Sequence, residues 1–161
     1  MDRLWSPWRY SYIQSAGPSA GCIFCDKASS QQDQENLVLF RGKHNFALLN
    51  LFPYTNGHLM IAPYAHVDSL LGCDDDTLHE LMRLTQKAEQ ALRQVYRPDG
   101  LNLGMNLGAA AGAGVAGHVH MHELPRWTGD ANFMTSVSET RVLPEDLNVT
   151  WRRLREAFAG G

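Results

Sequence analysis

Apolar residues recur along this chain with two different periods, and the period changes mark the elements. Residues 36–41 and 45–50 are short, apolar and rich in β-formers, with Gly42-Lys43 between them, so they predict two neighbouring strands joined by a turn. Phe52–Gly57 contains Pro53 and Asn56-Gly57 and reads as a turn. His58–Ala62 then reads as another short strand, closed by Pro63. From Asp74 the period lengthens. Leu78, Leu81, Met82, Thr85, Ala88, Leu92 and Val95 fall at helical spacing, ending before Pro98-Asp99-Gly100. The acidic run Asp74-Asp75-Asp76 suits a helix start, and Thr77 with Glu80 fits a capping box. Leu101–Leu107 alternates and predicts a strand, as does Val119–Leu124, stopped by Pro125. A short amphipathic helix near Val149–Phe158 closes the chain. Strands with one long helix between them predict an α+β fold.

Composition narrows the picture. The 161 residues suit one domain. Residues 1–35 read as an N-terminal extension, 36–127 as the core and 128–161 as a tail carrying the short helix. The chain is 44% hydrophobic and 19% charged, as expected of a globular protein. No apolar run approaches the ~20 residues that span a bilayer, and the aromatic, basic start MDRLWSPWRYSYI lacks a signal-peptide core. A cytoplasmic location is the expectation. With a net charge of −3 and no basic patch, nucleic acid is not the expected partner. An anionic ligand would need local donors. Three cysteines do not make a disulfide framework.

Three of the seven histidines fall in the run His118-Val119-His120-Met121-His122. On a strand these imidazoles share one face, with neighbours about 6–7 Å apart. A neutral imidazole is a good nucleophile near pH 7, and a second can orient it or handle a proton. The row suits catalysis or metal ligation; a polar strand face is the alternative. The preceding Asn106–Gly117 stretch is mostly Gly and Ala, including Gly112 and Gly114. Such a loop lets backbone N–H groups approach phosphate oxygens, though it lacks the Lys-Ser/Thr ending of a P-loop. Read alone it is a flexible linker; beside the histidines it points to a phosphate site. Arg126 adds a cation for a phosphate or for a surface salt bridge.

These residues resemble the histidine-triad family. HVHMHELPRW fits its alternating His pattern apart from Glu123, which occupies the first trailing apolar position. NFALLNLFPYTNGHLMIAP resembles the family's strand-turn-strand leading to a Gly-His, and GLNLGMNLG its next strand. LWSPWRYSYI and PRWTGDANF resemble the bacterial branch that includes diadenosine tetraphosphate phosphorylases. The likeness covers nearly the whole chain. It implies an antiparallel sheet with one long helix and a short C-terminal helix. It also implies cleavage of dinucleoside polyphosphates at the α-phosphate through a nucleotidyl-histidine on His120, with phosphate or water as acceptor. His122 and His58 would serve the phosphate side. Asn106 and the backbone N–H groups of the Gly-rich loop, at Gly112 and Gly114, would bind phosphate, and Asn50 would contact the ribose. Read from the residues alone, Arg126 offers its cation to phosphate, and Trp127 beside it suits stacking on an adenine. Many members carry Gln, Ser or Thr just before the triad. Here residues 112–117 offer no side-chain donor, so a leaving-group contact must come from backbone or is lost. Hydrolysis of nucleoside phosphoramidates, or a low-turnover nucleotide-binding module, are the alternatives.

Cys22 and Cys25 form a C-x-x-C. The motif suits a structural zinc, a redox pair opening a helix after a strand, or two unligated thiols. No strand is predicted before it, which disfavours the redox reading. The resemblance implies a zinc completed by His66 and His118, with His44 as a lesser substitute. His79 reads as a solvent-facing helix residue. The crowded Trp5, Trp8, Tyr10 and Tyr12 suit a subunit interface or a base pocket, and the resemblance implies a homodimer.

Overall fold

The computed structural model describes residues 21–130 and 145–160. The Trp5, Trp8, Tyr10 and Tyr12 cluster, and the end of the PRWTGDANF segment, lie outside the described residues.

Five antiparallel strands form one sheet in the order β1-β2-β3-β5-β4: β1 Val38–Arg41, β2 Asn45–Leu49, β3 Leu59–Pro63, β4 Gly100–Gly104 and β5 Met121–Arg126. Three α-helices accompany it among the described residues: α1 Ile23–Ser29, α2 Asp75–Tyr96 and α3 Leu147–Ala159. The arrangement is α+β, as expected, with α1 as the element the sequence did not announce. None of the described helices is long and apolar enough to cross a membrane.

The unbroken apolar run in β2 has a simple cause: every residue of that strand is buried. Its alternate side chains enter two different cores. Ala47 and Leu49 join Leu59 and Ile61 of β3 against Leu81, Leu84, Ala88 and Leu92 of α2 and Leu154 and Phe158 of α3. Phe46 and Leu48 instead join Val38, Ala62 and Phe24 of α1 on the opposite face. The sheet register carries this division to the histidines. Leu48 pairs with Met60, and Met60 with His122, so His122 belongs to the face away from α2. Leu49 pairs with Leu59, and Leu59 with Glu123, so Glu123 belongs to the α2 face.

Four local expectations need correction. The N-cap of α2 is Asp74, whose carboxylate accepts from the Thr77 N–H. Glu80 closes no capping box. It accepts instead from the backbone N–H groups of Lys43, His44 and Asn45, and so fastens the β1–β2 turn to α2. The strand expected over Leu101–Leu107 ends at Gly104, paired with His122, because the chain before Met121 is not in the sheet. His118–His120 is strapped to the 63–67 loop instead, through Val119 N–H to Val67 C=O and His118 Nε2 to Pro63 C=O. Finally, β5 runs through Pro125. Pairing with β3 stops at Glu123, so Pro125 has a strand neighbour on one side only, where a missing N–H is tolerated.

Helix α3 protects the sheet at β1. Trp151 Nε1–H and an Arg155 N–H donate to the carbonyls of Val38 and Leu39. The other edge, β4, is uncovered among the described residues, with Leu103 47% exposed.

Glu123 is fully buried, and among the described residues neither carboxyl oxygen has a partner. Burial, reinforced by Glu89 and opposed by Arg93, pushes its carboxyl up to about 8. The folded chain therefore holds a proton that the unfolded chain releases near pH 4.5, so this group's contribution to stability declines from there up to about pH 8. Glu123→Gln should flatten that dependence, gaining stability relative to wild type between pH 5 and pH 8.5. Denaturant unfolding at the two pH values checks this; an equal wild-type-to-variant difference at both would contradict it.

Candidate functional site

His118–His120 lies outside the sheet, just before β5, which sets His118 and His120 apart from His122 in the strand. The rings still follow one another, with Phe24 against both His118 and His120 and His120 against His122, but His118 joins one constellation, and His120 and His122 another.

The first is a ligand cage. Cys22 precedes α1 and Cys25 lies in its first turn, so their thiols share one side. Sγ of Cys22 is 3.3 Å from Nδ1 of His118; Sγ of Cys25 is 3.4 Å from Nδ1 of His66 and 3.7 Å from Nδ1 of His118. The ligand atoms of all four residues lie within 4.8 Å of one another. A tetrahedral ion with ordinary Zn–S and Zn–N bonds would set S···N edges of about 3.5 Å, so the donor set fits a four-coordinate metal. The tautomer agrees. Nε2 of His118 is 2.9 Å from the Pro63 carbonyl, which only accepts, so the proton sits on Nε2 and the Nδ1 lone pair faces the thiols. Burial and the neighbouring Cys22 push the Cys25 thiol up, a disfavour that a bound cation would reverse. These four residues could hold a metal ion. His44 is not among them, and His79 is exposed on α2, as expected.

The second constellation borders a cavity of about 350 Å³, a size suited to a small ligand. His120 and His122 line it, with ring centroids 4.7 Å apart. Nδ1 of His120 is 2.8 Å from the His118 carbonyl. A carbonyl only accepts, so Nδ1 carries the proton and Nε2 keeps its lone pair. Burial holds the His120 imidazole below its ordinary range, against the opposing effect of that carbonyl. The ring is thus a neutral base or nucleophile near pH 7.

His58 is placed by the preceding turn. Gly57 has φ of +78°, and a Cβ there would come within 2.9 Å of the Tyr96 ring, so only glycine fits. The Tyr54 N–H donates to Nδ1 of His58 at 3.2 Å. Nε2 of His58 therefore carries the proton and donates to Nδ1 of His122 at 2.9 Å. With its Nδ1 accepting, His122 carries its own proton on Nε2. The chain Tyr54–His58–His122 thus fixes the tautomer of a residue lining the cavity, without any carboxylate.

Asn50, Asn106, Gly112 and Gly114 also line the cavity, as the sequence suggested. Asn50 closes a turn by accepting from the Phe52 N–H, and its amide lies 3.4 Å from the His58 ring. The Gly-rich stretch forms a short 3₁₀ turn at Ala109–Ala111, between glycines with φ of +85° and +91°. Arg126 and Trp127 do not line this cavity. Arg126 forks onto Asp130 and Asn102, and Trp127 meets the Tyr96 ring edge-on. The sequence reading missed the apolar wall: Ile23 and Phe24 of α1, with Leu51, Phe52 and Tyr54. The pattern Ile-Phe between the two cysteines was the available signal, since neither residue serves ligation.

His58 is buried among other imidazoles. Burial first, then His122 and His120, lower its pKa to about 3. The unfolded chain therefore binds the extra proton from pH 6.5 downward while the folded chain refuses it, and stability falls with acidification from pH 6.5 to about 3. In nitrogen-resolved NMR the His58 ring should remain uncharged from pH 8 down to about 4. A midpoint near 6.5 would contradict the buried hydrogen-bond chain.

Comparison with known proteins agrees with this geometry. A Mycobacterium tuberculosis protein described as AP-4-A phosphorylase is 41% identical over 169 residues, covering 99% of this chain and 85% of that protein. A zinc-bound histidine-triad protein from Mycobacterium smegmatis superposes with a TM-score of 0.70 at 27% identity, covering 88% of this chain and 95% of that one. A histidine-triad nucleotide-binding protein from Sulfolobus tokodaii superposes at 0.67 and 26% identity, covering 86% and 93%. The HIT domain model matches residues 31–129, most of the chain, so this protein belongs to the HIT, or histidine-triad, family.

Proposed function

We propose that the chain cleaves dinucleoside polyphosphates such as diadenosine tetraphosphate at the α-phosphate, through a nucleotidyl-histidine on His120. The observation that carries this reading is the pair of fixed tautomers on one cavity: an unprotonated Nε2 on His120 beside a protonated Nε2 on His122. The first suits attack on phosphorus, the second donation to a phosphate oxygen.

In the first step Nε2 of His120 forms a P–N bond to the α-phosphorus as the bond to the leaving polyphosphate breaks. In the second, phosphate or water forms a new P–O bond and the P–N bond breaks, restoring the imidazole. Splitting the displacement in two is the gain of covalent catalysis. Asn106 and the backbone N–H groups at Gly112 and Gly114 would hold phosphate oxygens, and Asn50 the ribose. The AP-4-A phosphorylase relative favours phosphate as the acceptor. Arg126 is tied to Asp130 and Asn102, so a role for it or Trp127 requires substrate extending beyond the cavity described.

The metal we propose is zinc, held by Cys22, Cys25, His66 and His118. It would supply structural cross-linking only, since all four positions would be filled by protein. We further propose a homodimer built on the β4 edge, which no described residue covers, and a reducing, cytoplasmic location, which suits three unpaired cysteines.

With diadenosine tetraphosphate, phosphate-dependent formation of ADP and ATP is the expected result, and AMP and ATP without phosphate would make the chain a hydrolase. His120→Asn should lower turnover by at least about 10³-fold while AMP binding persists. Full turnover by this variant would overturn the assignment. The purified protein should carry one zinc per chain by elemental analysis, and Cys25→Ser should lose it and melt earlier. Full zinc occupancy in that variant would remove the thiolate from the ligand set.

A further inference from the structure

Between the two metal-cage cysteines lies Phe24, a residue neither the cage nor the phosphate chemistry uses. It is buried, its ring centroid lies 5.1 Å from the His118 ring and 4.7 Å from the His120 ring, and it lines the cavity. The buried His120 imidazole bonds the His118 carbonyl through Nδ1 and meets two rings, His122 in a T-shaped pair and the tilted ring of Phe24. The hydrogen bond fixes one ring atom; the ring can still swing about it. Phe24 limits that swing from the α1 side.

Phe24 is only as well placed as its helix. A seven-residue helix has little stability of its own. At the C-terminal end of α1, Arg41 donates to the carbonyls of Lys27, Ala28 and Ser30. At the N-terminal end the described attachments are the cage, through Cys22 and Cys25, and the packing of Phe24 against Val38, Phe46, Leu48 and Ala62.

Resting on His120 as the nucleophile, we propose that Phe24 is a positioning residue that transmits metal occupancy of the cage to the His120 ring. With the cage filled, α1 is seated and Phe24 holds the imidazole with Nε2 toward the α-phosphorus. With the cage emptied, the N-terminal end of α1 loosens, Phe24 withdraws and the ring reorients. Ile23 shares that end of α1 and the cavity wall, so substitution of Phe24 alone, with the cage filled, isolates the effect on attack from substrate capture.

The test compares wild type, Phe24→Ala, Phe24→Leu and Phe24→Tyr, each zinc-loaded and after chelation. Zinc content, ring NMR signals of His120, and kcat and KM for diadenosine tetraphosphate are measured. Zinc-loaded Phe24→Ala should keep one zinc per chain yet lose about 10- to 100-fold in kcat with little change in KM, and Phe24→Tyr should restore most of it. Chelation should shift the His120 ring signals and lower kcat in wild type, and add little in Phe24→Ala. A raised KM with kcat intact would make Phe24 a mere cavity wall and overturn the proposal. So would a chelation shift at His120 as large in Phe24→Ala as in wild type, since coupling would then run through His118 alone. Should Phe24→Ala not fold, Phe24→Leu decides by the same two criteria. Absence of turnover in every form would refute the dinucleoside polyphosphate reading, while the His120 signals would still decide the coupling.

Discussion

The hydrogen bond from His120 Nδ1 to the His118 carbonyl is the contact on which the site depends. The chain at His118–His120 bends and lies outside the sheet, so the His118 carbonyl is not taken up by a neighbouring strand. The departure sends the His118 side chain to the thiols and leaves His120 at the cavity. It also sets which nitrogen of His120 holds the proton. One backbone group thus ties the cysteine–histidine cage, the tautomer of His120 and the start of β5 together.

The sheet supplies the rigid frame for this bend. The register from Leu48 through Met60 to His122 places the last histidine on the face opposite α2. His58, just before β3, meets it there because Gly57 turns the chain where no side chain fits. The two imidazoles then settle their tautomers between themselves and the Tyr54 N–H. Burial keeps His58 uncharged, so the pair works as a directed donor rather than as a positive charge. The cost of the frame is visible one residue on, where Glu123 lies under α2 with no partner among the described residues.

Much of this was legible in the sequence. The five strands and two of the helices follow from apolar spacing, and the cage residues and cavity asparagines follow from motif and resemblance. What stayed hidden was non-local. Glu80 looks like a capping residue, and only the tertiary fold brings the β1–β2 turn to its carboxylate. Pro125 looks like a strand stop until the pairing shows that β3 has already ended. Helix α1 is too short for a periodic signal, and its apolar Ile23 and Phe24 read as filler between two ligands. The even spacing of the triad suggested one face, and Phe24 meets both His118 and His120 while His120 meets His122; what the spacing did not give is that His118–His120 lies outside the sheet.

The central claim is that His120 forms a bond to phosphorus. Rapid acid-free quenching of the enzyme with diadenosine tetraphosphate, followed by mass spectrometry of its peptides, tests it most directly. A transient adenylyl group on the peptide containing residues 118–122, assigned to His120 and absent in His120→Asn, is the predicted result. An adduct on a different residue, or single-turnover cleavage with no adduct at any time, would contradict it.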